Sequence, residues 1–280
     1  MLRRPRMRVR VRVRPLSFSL NRMIPNILTM LALCAGMTAI RFAMVDRFES
    51  AVAAVIIAGI LDGLDGRIAR LLKGTSTFGA QLDSLSDFVS FGVAPAVLLY
   101  LWTMSHYPGF GWAVVLIFAV CCALRLARFN TQIGAELPPY AYNFFTGVPA
   151  PAGAGLVLLP MIADFEFGGD IVFRSPILNA GTIVAVSALM VSRVPTFAMK
   201  RFRVPQEWVL PTLLLVGALA AFLTTEPWAT MLVMGALYLG SIPFSIRSYR
   251  RLRRAAEAMR AATLRLASEA GAAAADRPAK

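Results

Sequence analysis

Long apolar stretches alternate with short polar segments along most of this chain. Eight stretches of roughly 18–25 residues are each long enough to cross the hydrocarbon core of a bilayer, which is about 30 Å thick. Because a spanning chain must satisfy its backbone hydrogen bonds internally, each stretch predicts a transmembrane helix. The polar segments between them are too short for a soluble domain. The predicted fold is therefore all-α, a polytopic bundle of about eight helices near residues 24–43, 50–72, 79–103, 109–127, 143–163, 176–194, 208–224 and 228–246.

Composition supports an integral membrane protein and excludes several other classes. Hydrophobic residues make up 58% of the chain and charged residues only 16%, compared with about 25% charged residues in soluble domains. This excludes a soluble enzyme and a disordered chain, and the three cysteines (Cys34, Cys121 and Cys122) exclude a disulfide-stapled domain. The net charge of +14 would indicate binding to nucleic acid only if a soluble module carried that charge. No such module exists, so no nucleic-acid partner is predicted.

The positive charges predict an orientation in the membrane. If both termini are cytoplasmic, 26 of the 29 Lys and Arg residues lie in inside segments, and only Arg41, Arg47 and Arg174 lie outside or beside the outer loops. Such a bias follows the positive-inside rule. We therefore expect both termini and any inward-facing site on the cytoplasmic side of the membrane.

Three parts follow from this arrangement. Residues 1–22 form a basic arm, which we interpret as a topological anchor to anionic headgroups. The alternatives for this arm are an RNA-binding segment, a transit peptide or a signal n-region. Residues 23–246 form the transmembrane domain. Residues 247–280 predict a basic interfacial helix followed, from Gly271, by a disordered tail.

Four carboxylates stand out because they lie in or beside apolar spans. Asp62 and Asp65 lie near the end of the second span, and Asp83 and Asp87 near the start of the third. An ionised Asp at a helix centre costs about 2.5–3.5 kcal/mol, so its presence indicates function. The spacings i,i+3 and i,i+4 put each pair on one helix face. A short polar turn joins the spans, so the two faces are expected to meet near the cytoplasmic surface.

Four carboxylates at close quarters need compensating positive charge. Oxygen-only ligation without histidine or cysteine suits Mg²⁺, Mn²⁺ or Ca²⁺ rather than zinc. Two divalent ions sharing these ligands would be typical of phosphoryl or phosphodiester chemistry. The alternatives are a structural ion site and a cation pathway.

The residues between the carboxylates favour a phosphate ligand. Small residues leave the backbone exposed where a bulky ligand can approach, and they also permit close helix packing. These residues are Gly66, Ala69 and Gly79, with Gly63. Positive charge is added by Arg70, together with Arg67 and Lys73. The planar guanidinium of an arginine can form two hydrogen bonds to a phosphate. The alternative role for Arg70 is a salt bridge to an Asp. At headgroup depth, these features predict a diphosphate-containing substrate that is half lipid.

The complete spacing resembles a known signature. The chain contains a pattern similar to the motif of the CDP-alcohol phosphatidyltransferases, with every fixed position matched. The pattern reads Asp62-Gly63-Leu64-Asp65-Gly66-Arg67-Ile68-Ala69-Arg70, eight residues, Gly79, three residues, Asp83, three residues and Asp87. The resemblance covers the catalytic core of about six spans, residues 22 to roughly 195.

This resemblance implies roles for individual residues. Asp62, Asp65 and Asp83 would bind two divalent cations, Mg²⁺ or Mn²⁺, and Asp87 would complete the cluster and act as the base. Gly66, Ala69, Arg70 and Gly79 would line the CDP-lipid pocket, together with Asn26 and Thr29 from Pro25-Asn26-Ile27-Leu28-Thr29. The expected substrate is CDP-diacylglycerol. Family members are commonly dimers, so a homodimer surrounded by membrane lipids is implied.

The acceptor is suggested by three further stretches. They begin at Phe91, Leu124 and Phe145 and resemble the phosphatidylserine synthase branch of the family, which implies L-serine as acceptor. Arg125 or Arg128 would supply a cation for the serine carboxylate, unless both only anchor the helix end at the inner surface. Glycerol 3-phosphate, inositol phosphate and choline stay open as acceptors, and a non-enzymatic channel or transporter is a remote alternative. The single histidine, His106, excludes paired His-Lys motifs, so direct displacement is favoured over a phosphohistidine route.

Overall fold

The computed structural model describes residues 20–72, 74, 76–131, 144–169, 172–197 and 205–275. Within these residues the fold is almost wholly helical, and a two-stranded sheet is the exception. The helices in chain order are α1 (Leu20–Ala43), α2 (Phe48–Leu71), α3 (Thr77–Asp87), α4 (Ala94–Leu99), α5 (Pro108–Thr131), α6 (Ala150–Val157), α7 (Leu159–Phe167), α8 (Pro176–Val191), α9 (Val209–Thr225) and α10 (Pro227–Ala275). The strands are β1 (Phe144–Thr146) and β2 (Pro195–Phe197).

The third span is a continuous helix, Thr77–Met104, with two wider turns. Its regular parts, α3 and α4, are separated by π-helical turns at Phe88–Val93, and a second π-helical stretch follows at Tyr100–Met104. Pro95 has no backbone N–H to donate to the carbonyl four residues earlier, so the regular hydrogen-bond pattern of an α-helix is interrupted here. The first wide turn begins directly after Asp87.

The polytopic all-α fold is confirmed, whereas the number of eight spans stays a prediction. Five helices among the described residues are long and apolar enough to cross a membrane, and α6 with α7 makes a sixth if this pair, bent by 42°, is one span. Helix α2 has 24 residues, but its last turns carry the charged residues of the signature. Helix α8 has 16 residues and is therefore shorter than the predicted span at 176–194.

The prediction of helix from residue 143 was wrong for residues 144–146. These residues form β1, which pairs antiparallel with β2 in the register Phe144 with Phe197 and Thr146 with Pro195. Aromatic and β-branched side chains favour extended backbone. Gly147 then turns the chain with a φ of 78°. Helix α6 begins only at Ala150, where Pro151 fits the first helical turn.

The basic tail is the continuation of the last span. Helix α10 has 49 residues, which corresponds to about 74 Å at about 1.5 Å per residue. The predicted separate helix after Arg247 is therefore part of α10. Residues 271–275 continue α10 as helix, and the disordered tail stays a prediction. Four alanines follow Gly271, and alanine has the highest helix propensity. The interfacial position of this segment stays a prediction.

Helix α1 packs along α2 and also contacts the third span. Small side chains line the α1–α2 contact, since Ala39, Ala43, Ala51 and Ala58 are all buried, and such residues let helix backbones approach closely. Two serines of the third span donate to α1 carbonyls: Ser86 to that of Thr29 at 3.1 Å and Ser90 to that of Ala32 at 3.2 Å. These bonds fix the height of α1 beside the end of α3 and the π-helical turn that follows it.

We predict that Gly147→Ala destabilises the protein. A Cβ at Gly147 would lie 2.6 Å from the carbonyl oxygen of Met190, and the positive φ of this residue disfavours any side chain. The expected loss is about 1–3 kcal/mol of unfolding free energy. The measurement is the thermal midpoint of the purified protein in detergent micelles.

Gly155→Ala is the matched control for this substitution. Gly155 lies in α6, and a Cβ there meets nothing within 4 Å. Equal thermal midpoints for Gly147→Ala and Gly155→Ala would contradict the importance of the turn at Gly147.

Candidate active site

The connection between α2 and α3 makes the two helices antiparallel neighbours. Only residues 72–76 separate Leu71 from Thr77. Ser76 caps α3, since its hydroxyl accepts a hydrogen bond from the backbone N–H of Gly79 at 3.0 Å. The short turn and its cap bring the carboxylate-bearing faces of α2 and α3 toward each other.

Three of the four predicted carboxylates form one cluster, which we call the carboxylate triad. Oxygens of Asp62, Asp83 and Asp87 all lie within 4.8 Å of one another, and the three residues are half-buried. Two antiparallel helices therefore converge on a single point.

Asp65 lies beside the triad and faces α1. Its Oδ2 accepts a hydrogen bond of 2.5 Å from the Thr29 hydroxyl, which also donates to the carbonyl of Pro25 at 3.0 Å. Asp65 is buried, with 4% of its surface exposed. The sequence predicted Thr29 as a contact of the nucleotide, and its direct bond to Asp65 was missed because spacing along the chain does not show which face of α1 meets α2.

A pocket of about 180 Å³ opens between α1, α2 and α3 next to these carboxylates. We call it the interhelical pocket. It contains five of the residues that the sequence assigned to CDP-lipid binding, together with Asp65 and Asp83, and four residues that the sequence did not single out for the pocket. Its lining residues are Pro25, Asn26, Thr29, Asp65, Gly66, Ala69, Gly74, Ser76, Gly79, Ala80 and Asp83.

Two glycines shape the interhelical pocket differently. A Cβ at Gly79 would lie 2.9 Å from Asn26 Oδ1, so any larger residue here would require the Asn26 side chain to move. A Cβ at Gly66 would meet nothing within 4 Å and would project into open space. Of the missed lining residues, Ser76 could have been found, because a serine three residues before Gly79 is typical of a helix N-cap.

Arg70 is exposed and lies at the edge of the interhelical pocket rather than among its lining residues. Its Nε donates to the carbonyl of Gly66 at 2.9 Å, so the guanidinium is held over the turn that carries Gly66. No ion pair of Arg70 with an Asp occurs among the described residues.

The two arginines predicted for the acceptor have different surroundings. The Nε of Arg125 is buried and has no hydrogen-bond partner among the residues that the structure describes. Its guanidinium interacts electrostatically with Asp87 and Asp62. Arg128 instead donates from Nη1 to the carbonyl of Val191 at 2.6 Å, which ties α5 to the end of α8.

Asn130 and Asn143 are two further polar residues that follow Arg125 and Arg128 in the chain. Asn130 donates to the hydroxyl of Ser84 at 2.9 Å. Asn143 lies outside the described residues.

The donor atoms of the triad fit a divalent cation of the hard, oxygen-binding type. Each of Asp62, Asp83 and Asp87 offers a carboxylate oxygen within reach of one ion, and no histidine or cysteine joins them among the described residues. Carboxylate oxygens are the ligands that Mg²⁺ and Mn²⁺ prefer. Such an ion would also offset the mutual repulsion of the three carboxylates.

Comparison with known proteins agrees with this geometry. The family model for CDP-alcohol phosphatidyltransferase matches residues 22–187, and a second one, CDP-alcohol phosphatidyltransferase 2, matches residues 207–243. The first range contains the triad, Asp65 and the interhelical pocket.

Similar curated proteins come from bacteria and an archaeon. The chain is 40% identical over 228 residues to the CDP-diacylglycerol–serine O-phosphatidyltransferase of Mycobacterium tuberculosis strain H37Rv, covering 81% of this chain and 79% of that protein. It is 36% identical over 217 residues to the Helicobacter pylori J99 protein of the same name, covering 78% and 88%. It is 34% identical over 176 residues to the archaetidylserine synthase of Methanothermobacter thermautotrophicus, covering 61% and 68%.

The family match spans more than half of the chain and contains the carboxylates that the fold brings together. This chain therefore belongs to the CDP-alcohol phosphatidyltransferase family, a family of polytopic membrane proteins that generally depend on divalent cations.

Proposed function

We propose that this protein transfers the phosphatidyl group of CDP-diacylglycerol to the hydroxyl of L-serine, giving phosphatidylserine and CMP. The observation that carries the proposal is the carboxylate triad at the edge of a pocket lined by glycine and alanine. The names of the bacterial relatives support CDP-diacylglycerol and serine as the substrates.

The triad and Asp65 are the proposed ligands of the cation site. Asp62, Asp65, Asp83 and Asp87 would hold two divalent cations, Mg²⁺ or Mn²⁺, which when bound neutralise charge on the diphosphate as CMP leaves. The bond between Thr29 and Asp65 keeps that carboxylate in one orientation. Preorganised ligands of this kind lose little free energy to reorganisation during the reaction.

The interhelical pocket is the proposed binding site of the cytidine diphosphate group. Gly66, Ala69 and Gly79 expose backbone and leave space, and Asn26 and Thr29 offer polar atoms from α1. Arg70, held by its bond to the Gly66 carbonyl, lies where its guanidinium can meet a phosphate oxygen at the mouth of the pocket.

Asp87 is the proposed general base. Its carboxylate takes the proton from the serine hydroxyl as that oxygen attacks the phosphorus that carries the lipid. A new P–O bond forms to serine, the P–O bond to CMP breaks, and the electron pair leaves with CMP. The other residues position the reactants for this displacement, which is how most phosphoryl-transfer enzymes work.

Arg125 is the proposed partner of the serine carboxylate. Its guanidinium is near Asp87, so a carboxylate bound there would hold the serine hydroxyl on the side of the base. Arg128 is occupied by the Val191 carbonyl, and this contact favours a structural role for it over acceptor binding. The same transfer to glycerol 3-phosphate, inositol phosphate or choline is the competing proposal.

The orientation and assembly are proposals as well. The charge bias supports both termini and the triad on the cytoplasmic side. The bacterial relatives support a bacterial cytoplasmic membrane. Family resemblance supports a homodimer. A cation channel would need polar side chains through the depth of the membrane, whereas α9 (VLPTLLLVGALAAFLTT) carries no charged residue.

Acceptor specificity is the direct test of this function. Purified protein, CDP-diacylglycerol and Mn²⁺ or Mg²⁺ are combined with each acceptor in turn, and CMP release is measured. We expect L-serine to give the fastest release and removal of divalent cations by a chelator to abolish it. Faster release with glycerol 3-phosphate, inositol phosphate or choline would reject serine as the acceptor.

Asp87→Asn is expected to lower turnover by about 10²–10⁴-fold, the usual contribution of a general base. The substitution keeps the size of the side chain and removes its ability to take a proton. Steady-state CMP release measures turnover, and the yield of detergent-extracted protein measures folding.

Asp46→Asn is the matched control for Asp87→Asn. Asp46 is exposed and has a φ of 57°, a backbone conformation that asparagine tolerates well. Turnover of Asp87→Asn equal to that of Asp46→Asn would refute the role of Asp87 as base.

Gly66→Val tests the interhelical pocket. A Cβ at Gly66 would meet no protein atom within 4 Å, so we expect the valine side chain to extend into the pocket rather than disturb the fold. We expect the KM for CDP-diacylglycerol to rise by about 10- to 100-fold, from about 1–3 kcal/mol of steric conflict with the ligand.

Gly63→Val provides the comparison, because a Cβ at Gly63 also meets nothing within 4 Å and Gly63 does not line the pocket. An unchanged KM for CDP-diacylglycerol in Gly66→Val, or an equal rise of this KM in both variants, would contradict binding of the nucleotide in this pocket.

A further inference from the structure

Asn130, on the last turn of α5, forms a hydrogen bond with α3. Its Nδ2 donates to the Ser84 hydroxyl at 2.9 Å, and its Oδ1 lies 3.2 Å from the same oxygen. The Ser84 hydroxyl donates in turn to the carbonyl of Ala80, within α3, at 3.0 Å. Ser84 therefore accepts from Asn130 and gives its own proton to its own helix. This contact joins side chains 46 positions apart in the chain.

Ser84 and Ser86 lie on the two sides of the carboxylate face of α3. Each residue of an α-helix adds about 100° of rotation, so Ser84 lies about 60° beyond Asp87 on one side of this face. Ser86 lies about 60° from Asp83 on the other side. The Ser86 hydroxyl donates to the Thr29 carbonyl of α1 at 3.1 Å. The carboxylate face thus lies between hydrogen bonds to two different helices, and these bonds resist rotation of α3 about its axis.

The end of α5 that carries Asn130 is itself fixed in place. Arg128 donates from Nη1 to the carbonyl of Val191 at 2.6 Å, which joins this end to α8. The Thr131 hydroxyl donates to the carbonyl of Arg128 at 2.8 Å and so satisfies one of the last carbonyls of the helix. Because α5 is held here by a neighbouring helix, the bond from Asn130 can hold α3 in turn.

We propose that Asn130 is a positioning residue of the cation site. Through Ser84 it keeps α3 in the rotation at which Asp83 and Asp87 meet Asp62 of α2. This inference rests on the cation ligands proposed above. It adds a residue that acts on those ligands through another side chain.

The repulsion within the carboxylate triad is the reason that such a bond is needed. The oxygens of the three carboxylates lie within 4.8 Å of one another, and like charges at this distance repel when no cation is bound. This repulsion favours a rotation of α3 that separates Asp83 and Asp87 from Asp62. The bond between Asn130 and Ser84 opposes that rotation. Preorganised ligands bind more tightly than ligands that must first be brought together, so loss of this bond should weaken cation binding.

Asn130→Leu tests this inference because leucine has a similar size and no hydrogen-bonding group. Mn²⁺ is added to the purified protein in detergent micelles without substrate, and the thermal midpoint is followed. We expect half of the midpoint shift to require about 2- to 10-fold more Mn²⁺ than in the wild-type protein, the effect of losing one hydrogen bond between neutral groups. The Mn²⁺ concentration for half-maximal CMP release is expected to rise by the same factor.

Variants of Ser84 show whether the effect of Asn130 passes through this side chain. We expect Ser84→Ala to require as much Mn²⁺ as Asn130→Leu, and Ser84→Thr, which keeps the hydroxyl, to behave as the wild-type protein. The double variant of Asn130→Leu and Ser84→Ala should need no more Mn²⁺ than either single variant, because both substitutions remove the same bond. A double variant whose effect is the product of the two single effects would overturn the inference.

Thr131→Val is the matched control. Thr131 is exposed and follows Asn130 directly in α5, and its hydroxyl donates to a carbonyl of its own helix. This substitution removes a hydrogen bond at the same helix end without changing the contact with α3. We expect its Mn²⁺ dependence to equal that of the wild-type protein.

The outcomes separate this inference from the proposed function. A Mn²⁺-dependent midpoint in Asn130→Leu equal to that in Thr131→Val would reject the role of Asn130, even if Asn130→Leu unfolds at a lower temperature without Mn²⁺, because the residue would then serve packing alone. The absence of a Mn²⁺-dependent shift in the wild-type protein would also reject it. CMP release with serine decides the proposed transfer separately, since the binding measurement contains no substrate.

Discussion

The repulsion between carboxylates inside an apolar helix pair is the constraint on which the rest of this structure depends. Asp62, Asp83 and Asp87 have oxygens within 4.8 Å of one another, and Asp65 is buried beside them. Such an arrangement is costly in a membrane unless cations compensate it. Helices α2 and α3 therefore make a ligand site that is favourable only when it is filled.

The surrounding elements keep this site in a fixed geometry. Helix α1 contacts α2 through buried alanines and receives hydrogen bonds from Ser86 and Ser90 of the third span. Thr29 on the same helix bonds to Asp65. The wide helical turn begins directly after Asp87, and such turns are frequent at functional sites. One side of the site is thus supported by α1 and the other by an irregular helix.

The two-stranded sheet connects the C-terminal helix to the rest of the fold. The sheet of β1 and β2 joins the beginning of α6 to the end of α8, and Phe144 contacts both Phe197 and Tyr249. These contacts hold α10 against the bundle.

The sequence by itself determined the helical membrane fold, the meeting of the aspartate faces and most residues of the interhelical pocket. Apolar length and the spacings i,i+3 and i,i+4 are local properties, and a short turn requires α2 and α3 to run back beside each other. Only the tertiary structure decided that Asp65 faces Thr29, that Arg128 bonds to Val191, and that residues 144–146 form a strand. These features join residues 36 to 63 positions apart in the chain. They depend on how helices rotate and pack against one another, which hydrophobic periodicity does not specify.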